Sequence, residues 1–144
     1  MKKNKNLLMV LLTLLMLSVS SYASEGYKNL FITITTDNLK QAGMASAIAG
    51  AMQGAGVNTT VFIGAEAAEL VLRKGGQEAF GATGKSIREM LIGFMKKGGK
   101  VMLCGMCAKY QELTKKDIIY GVKIVGPGDV AGALLAPSTQ TISF

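Results

Sequence analysis

From residue 29 onward, β-branched, aromatic and apolar runs alternate with helical segments closed by glycine, and this alternation limits the chain to a small set of folds. Asn29–Thr35, Val57–Ile63, Lys100–Leu103, Val122–Val125 and Thr139–Phe144 read as strands, because runs of this length and composition suit buried extended chain. Between the first two, Thr36-Asp37-Asn38 offers N-cap chemistry. Leu39, Ala42, Gly43, Ala45, Ile48, Ala49 and Met52 then recur at helical spacing up to Gly56. Its small residues, from Gly43 to Gly54, suit close packing onto a sheet or a neighbour.

A short helix is expected over Ala65–Lys74, ended by Gly75-Gly76, and a loop over Gln77–Lys85. Ser86 with Glu89 forms a capping box that opens a helix over Ile87–Lys97, which Gly98-Gly99 stops. Thr114 with Asp117 offers a second box for a helical turn through Tyr120, and Asp129–Ala136 reads as a last helix. Strand and helix alternation with short connections dictates a parallel sheet with helices on both faces. In such sheets, ligands and reactive groups gather at the carboxyl ends of the strands. Thr35, Thr36, Asp37 and Cys104 all fall there.

The amino-terminal residues read as a targeting segment. Lys2, Lys3 and Lys5 precede the apolar run Leu7–Leu17, and Ser21-Tyr22-Ala23 supplies small residues at cleavage spacing. The run is shorter than the roughly 20 residues that span a bilayer. Residues 1–23 are therefore expected to be a cleaved signal peptide, leaving one periplasmic domain over 27–144 with no membrane attachment. Taking three lysines from the sixteen basic residues leaves thirteen against nine acidic, a net charge of +4. These charges are scattered, with no basic stripe interleaved with aromatics, so no nucleic-acid partner is expected.

The chain has no histidine and two cysteines, Cys104 and Cys107, spaced as Cys-Gly-Met-Cys at the end of the third strand. Without histidine there is no Ser-His-Asp or Cys-His machinery and no carboxylate–histidine–metal site. Thiol exchange, persulfide transfer and soft-metal capture remain. A c-type haem needs histidine after the second cysteine, where Ala108 stands. Structural zinc needs four ligands, so two thiols would suffice only in a symmetric oligomer. A helix beginning near Cys107 would aim its amides at Cys104 and favour the thiolate, with Lys109 adding positive charge.

Ala79–Ser86 loosely matches a phosphate-binding loop, but Arg73–Glu78 upstream is no buried strand, so loop and capping box explain it better. Six methionines follow the signal: Met44, Met52, Met90, Met95, Met102 and Met106. Core packing is expected for most of them. Met106, between the cysteines, could join a Cu(I) site.

Ile34–Asp37 running into Gln41–Ala45, Ile87–Leu91 with Gly98–Val101, and Leu103–Lys109 together resemble the DsrE/DsrF-like family. Leu113-Thr114, Asp117-Ile118 and Gly121-Val122 extend that likeness over almost all of the chain after the signal. The resemblance implies a three-layer α/β/α sandwich with a five-stranded parallel sheet ordered 4-3-2-1-5, assembled as a homotrimer or homohexamer. In the sulfur-relay branch, a cysteine after the third strand accepts sulfane sulfur as a persulfide, and Cys104 matches that position. Cys107 places the chain with an exported Cys-x-x-Cys subgroup.

The expected function is a sulfur carrier or thiol-exchange protein. Cys104 would be the attacking or persulfidated sulfur and Cys107 the resolving thiol, with no cofactor. The expected partner is a sulfur donor or acceptor protein or a small thiol. The alternative is a non-catalytic oligomeric binding protein with a structural disulfide or a Cu(I) site at the same cysteines.

Overall fold

A computed structural model describes residues 28–144, so the expected signal peptide lies outside the described residues. The chain runs through β1 (Asn29–Ile34), α1 (Leu39–Gly54), β2 (Asn58–Ile63), a 3-10 helix η1 (Ala65–Val71), β3 (Ala79–Phe80), a 3-10 turn η2 (Gly81–Thr83) and β4 (Lys85–Ser86). It continues through α2 (Ile87–Lys96), β5 (Lys100–Cys104), α3 (Gly105–Tyr110), β6 (Lys123–Val125), α4 (Pro127–Leu134) and β7 (Thr139–Ser143). Five strands form one parallel sheet in the order β6-β5-β2-β1-β7, which is the expected 4-3-2-1-5. The C-terminal strand lies beside the first: Asn29 stands opposite Thr139 and Thr33 opposite Ser143.

The caps are those the sequence offers. Asn38 Oδ1 accepts hydrogen bonds from the N–H groups of Lys40 and Gln41 at 3.1 and 3.2 Å, opening α1. At α2, the Ser86 hydroxyl accepts from Glu89 N–H while Glu89 Oε2 accepts from Ser86 N–H at 2.8 Å. Ile87, Leu91 and Phe94 then share the buried side of α2.

Strand alternation divides the sheet into unequal faces. Leu30, Ile32 and Ile34 of β1 share a face with Val61 and Ile63 of β2 and Val101 and Leu103 of β5. All seven are buried in one cluster with Ala42, Ala45 and Ala49 of α1 and Leu91 and Phe94 of α2. Full burial of each large aliphatic side chain there contributes roughly 1.5–3 kcal/mol. The other face carries Phe31, Thr60, Phe62 and Met102, with Phe31 and Phe62 stacked at 6.1 Å between ring centroids. It is crossed by α4, in which no residue is buried, leaving a cleft of about 330 Å³ between Asp129, Gly132 and Ala133 and the strand residues Thr60 and Met102.

Several expectations are corrected. Ala65–Lys74 is not an α-helix: η1 stops at Val71 and the chain turns extended at Leu72. Thr114–Tyr120 is not helical either. The Asp117 carboxylate accepts from Thr114 N–H and hydroxyl as anticipated, but the backbone is committed elsewhere. Arg73 N–H donates to Asp117 O at 2.7 Å and Ile119 N–H to Val71 O at 2.8 Å, an extended pairing that a helix would forbid. The expected loop over Gln77–Lys85 contains the short antiparallel pair β3–β4, and Ala79–Ser86 is a turn and a cap rather than a phosphate cradle. The last helix begins two residues early, with Pro127 in its first turn and Asp129 Oδ2 accepting from Gly126 N–H.

The small residues of α1 are used inside the subunit. Ala42, Gly43, Ala45, Ser46 and Ala49 are buried, and a β-carbon on Gly43 would collide with the Phe80 ring. Three methionines depart from core packing: Met44, Met52 and Met106 are exposed, Met106 by 76%.

Candidate functional site

Cys104 is the last residue of β5 and the N-cap of α3. Its sulfur accepts a hydrogen bond from Cys107 N–H at 3.4 Å, in the role that an Asn or Ser oxygen plays at other helix starts. Gly105 makes this turn possible. A β-carbon there would stand 2.8 Å from the Val125 carbonyl oxygen, so a side chain at that position would force α3 away from the end of β6. Met106 points to solvent between the two cysteines. It is therefore not gathered with the sulfurs, and among the described residues no three Cys, Asp or Glu side chains group for a metal ion.

Cys107 lies one turn further on, and its sulfur accepts from the backbone N–H of Ala65 at 3.2 Å. That contact exists because β2 and β5 are neighbours, which sets the chain leaving β2 beside the chain leaving β5. At Gly64 the two thiols come together: a β-carbon there would lie 3.7 Å from Cys104 Cβ and 3.8 Å from Cys107 Sγ. The Gln111 side chain, at the far end of α3, donates to Ala65 O at 3.2 Å. Both cysteines are free and half-buried.

The two thiols differ in acidity. Burial pushes Cys104 up, but hydrogen bonds from the Cys107 thiol and from the N–H groups of Cys107 and Met106 outweigh it and bring Cys104 below the ordinary thiol value. For Cys107, burial raises the acid constant's pH, and the interaction with Cys104 raises it further; the Ala65 N–H offsets this only in part. Lys109, expected to assist, stands in the last turn of α3, and hydrogen bonds perform that role instead.

The fold does not bring the other polar residues at the carboxyl ends to the thiols. Thr35 donates its hydroxyl to Phe144 O, Thr36 Oγ1 accepts from Asn38 N–H, and Asp37 lines a separate cleft with Glu69, Lys74 and Arg88. Sequence reasoning missed Ala65 and Gln111. The order 4-3-2-1-5 already makes the residues after β2 neighbours of those after β5, so the signal for Ala65 was present in the topology.

No curated protein matches the chain. Among solved structures, the YchN protein from E. coli is similar with a TM-score of 0.68 at 18% identity, covering 81% of this chain and 98% of that one. A conserved protein of unknown function from Bacteroides thetaiotaomicron follows with a TM-score of 0.61 at 17% identity, covering 81% and 95%. A protein of unknown function from Methanobacterium thermoautotrophicum has a TM-score of 0.61 at 14% identity, covering 82% and 99%. At such identities these likenesses speak to the fold alone. The model of the DsrE/DsrF-like family matches residues 28–144, and with a cysteine capping the helix after the third strand of its five-stranded parallel sheet, this chain belongs to that family.

Proposed function

We propose that this is an exported, periplasmic sulfur-carrier or thiol-exchange protein, with Cys104 as the attacking sulfur and Cys107 as the resolving one. The observation that carries the reading is the asymmetry of the pair. Cys104 caps a helix and is lowered by hydrogen bonds, whereas Cys107 is raised. A nucleophile must be a thiolate near working pH, and a resolving thiol must wait.

Two reactions are open to such a pair. As a carrier, the Cys104 thiolate attacks the outer sulfur of a donor persulfide R–S–SH. It becomes Cys104–S–SH and releases R–S⁻, and an acceptor thiolate then takes the outer sulfur and restores the Cys104 thiolate. In exchange, the Cys104 thiolate attacks a disulfide R–S–S–R′, forming Cys104–S–S–R and releasing R′–S⁻. Cys107 loses its proton to solvent and attacks the Cys104 sulfur, closing Cys104–S–S–Cys107 and releasing R–S⁻. The pair gives up two electrons and the external disulfide gains them. A homotrimer or homohexamer is the assembly proposed, and the thinly covered second face and the exposed β7 edge support it.

Intact-mass spectrometry of protein taken from the periplasm without reductant tests the reading. A persulfide adds one sulfur atom, a disulfide removes two hydrogens, and a bound metal adds its own mass. A persulfide, or a disulfide that small thiols reduce readily, is the expected result. Cys104→Ser should abolish exchange, and Cys107→Ser should accumulate the mixed disulfide or persulfide. A permanently oxidised pair that resists reduction, or a copper adduct, would overturn the reading in favour of a structural or metal-binding role.

A further inference from the structure

Ala65 stands at φ +49°, in the left-handed region that L residues seldom occupy and that costs about 1–2 kcal/mol outside glycine. The preceding Gly64, which could adopt such a conformation freely, is extended at φ −144°. The strain thus falls on the residue whose N–H meets the Cys107 sulfur. Two contacts hold it there: Gly64 N–H donates to Ile34 O at 3.0 Å, fixing the end of β2 against β1, and the Gln111 side chain donates to Ala65 O at 3.2 Å. Helix α3 therefore grips the Ala65 backbone at two points, with a sulfur at one end and an amide at the other.

We propose that Gln111 and Ala65 are positioning residues for Cys107: Gln111 holds the strained Ala65 backbone so that its N–H stays on the Cys107 sulfur as that sulfur becomes the attacking thiolate. This rests on the exchange reading above. In the resolving step, Cys107 sheds its proton to solvent, its sulfur bonds to the Cys104 sulfur, and the bond from Cys104 to the R–S group breaks, with R–S⁻ leaving. The Ala65 N–H favours the thiolate but also tempers its nucleophilicity, and the second effect is the weaker, at roughly 0.4–0.5 of the exponent of the first. Below the Cys107 titration the clamp speeds resolution; above it, where the thiolate is already complete, it slows the attack by a somewhat smaller factor. The titratable group facing Cys107 is the Cys104 thiol. Glu66, at the start of η1, and Lys109 are exposed and do not shift it.

Gln111→Met keeps the length of the side chain and removes the donor. With dithiobis-nitrobenzoate as the probe, the first equivalent of coloured thiolate reports attack by Cys104 and the second reports resolution by Cys107. In Gln111→Met the first phase should be unchanged. The second should be about two- to threefold slower near neutral pH and about twofold faster once Cys107 is fully ionised. A merely structural loss would slow resolution equally at every pH. As an independent readout, the Ala65 amide resonance of the wild type should move as Cys107 titrates, and that movement should shrink in Gln111→Met. An unchanged second phase with an unchanged amide titration overturns the clamp. If the wild type shows no second phase at all, the exchange reading fails instead, while the amide titration still decides whether the clamp exists.

Discussion

The two faces of the sheet carry different duties. On one, Ile32, Ile34, Val61, Ile63 and Leu103 are wholly buried under α1 and α2 in a continuous apolar cluster. On the other, Phe31 is buried, but Thr60, Phe62 and Met102 are only half-buried, and the helix that crosses them buries none of its own residues. By alternation from Leu103, Cys104 belongs to this second face, at its carboxyl end. Close packing tolerates little displacement, so a fold that concentrates packing on one face leaves the other free to hold reactive groups near solvent. Stability and chemistry are thus assigned to neighbouring residues of the same strand.

The sharpest way to break that comparison is to truncate matched positions. Ile63→Ala should cost about 2–5 kcal/mol in chemical denaturation, the usual range for a large aliphatic core residue. Met102→Ala, opposite Phe62 on the second face, should cost less than half as much; equal losses would mean that something in solution covers this face as thoroughly as α1 and α2 cover the first. Next in size is Gly105→Ala. The added carbon meets a backbone oxygen rather than a flexible side chain, so about 1–3 kcal/mol should be lost. Cys104 alkylation should also slow, since α3 can no longer start where its amides reach the sulfur.

The pH dependence of alkylation sharpens the chemical side. A thiol reacts as its thiolate, and an unperturbed cysteine titrates at about 8.5. Cys104, lowered, should be modified first as pH rises, and Cys107, raised, should follow. Peptide mapping after brief iodoacetamide treatment at several pH values reads this directly, and the reverse order would undo the assignment of roles. The smallest effect is expected at Gly64→Ala. Its β-carbon would make ordinary contacts of 3.7–3.8 Å with Phe62, Cys104 and Cys107, so stability should shift by no more than about 0.5 kcal/mol.

Much of the sheet was legible because its strands are buried on at least one side and their residues say so. Phe31-Ile32-Thr33-Ile34 and Val61-Phe62-Ile63 have little alternative to extended chain, and Ser86 with Glu89 marked the start of α2 where it lies. What was not legible depends on contacts between distant segments. Ala65–Leu72 has the composition of an α-helix, yet residues 71–73 pair with Asp117–Ile119, and that pairing overrides local propensity at both places. The methionines misled for a related reason, since flexibility lets Met sit in a core or on a surface equally well. At the candidate site the cysteines announced themselves by type and spacing. Ala65 and Gln111 did not, because one acts through its backbone and the other through a single bond to that backbone.

The placement of β7 bears on how the chain is made. β1 lies inside the sheet, and its second neighbour, β7, is far from it in sequence; the bonds from Asn29 to Pro137 and from Thr35 to Phe144 bridge 108 and 109 positions. Such distant pairing slows folding. Until Thr139–Ser143 has been made and has docked, one side of β1 has no partner and is open to strands from other molecules. A product cut short before Thr139 therefore carries an inner strand unpaired on one side.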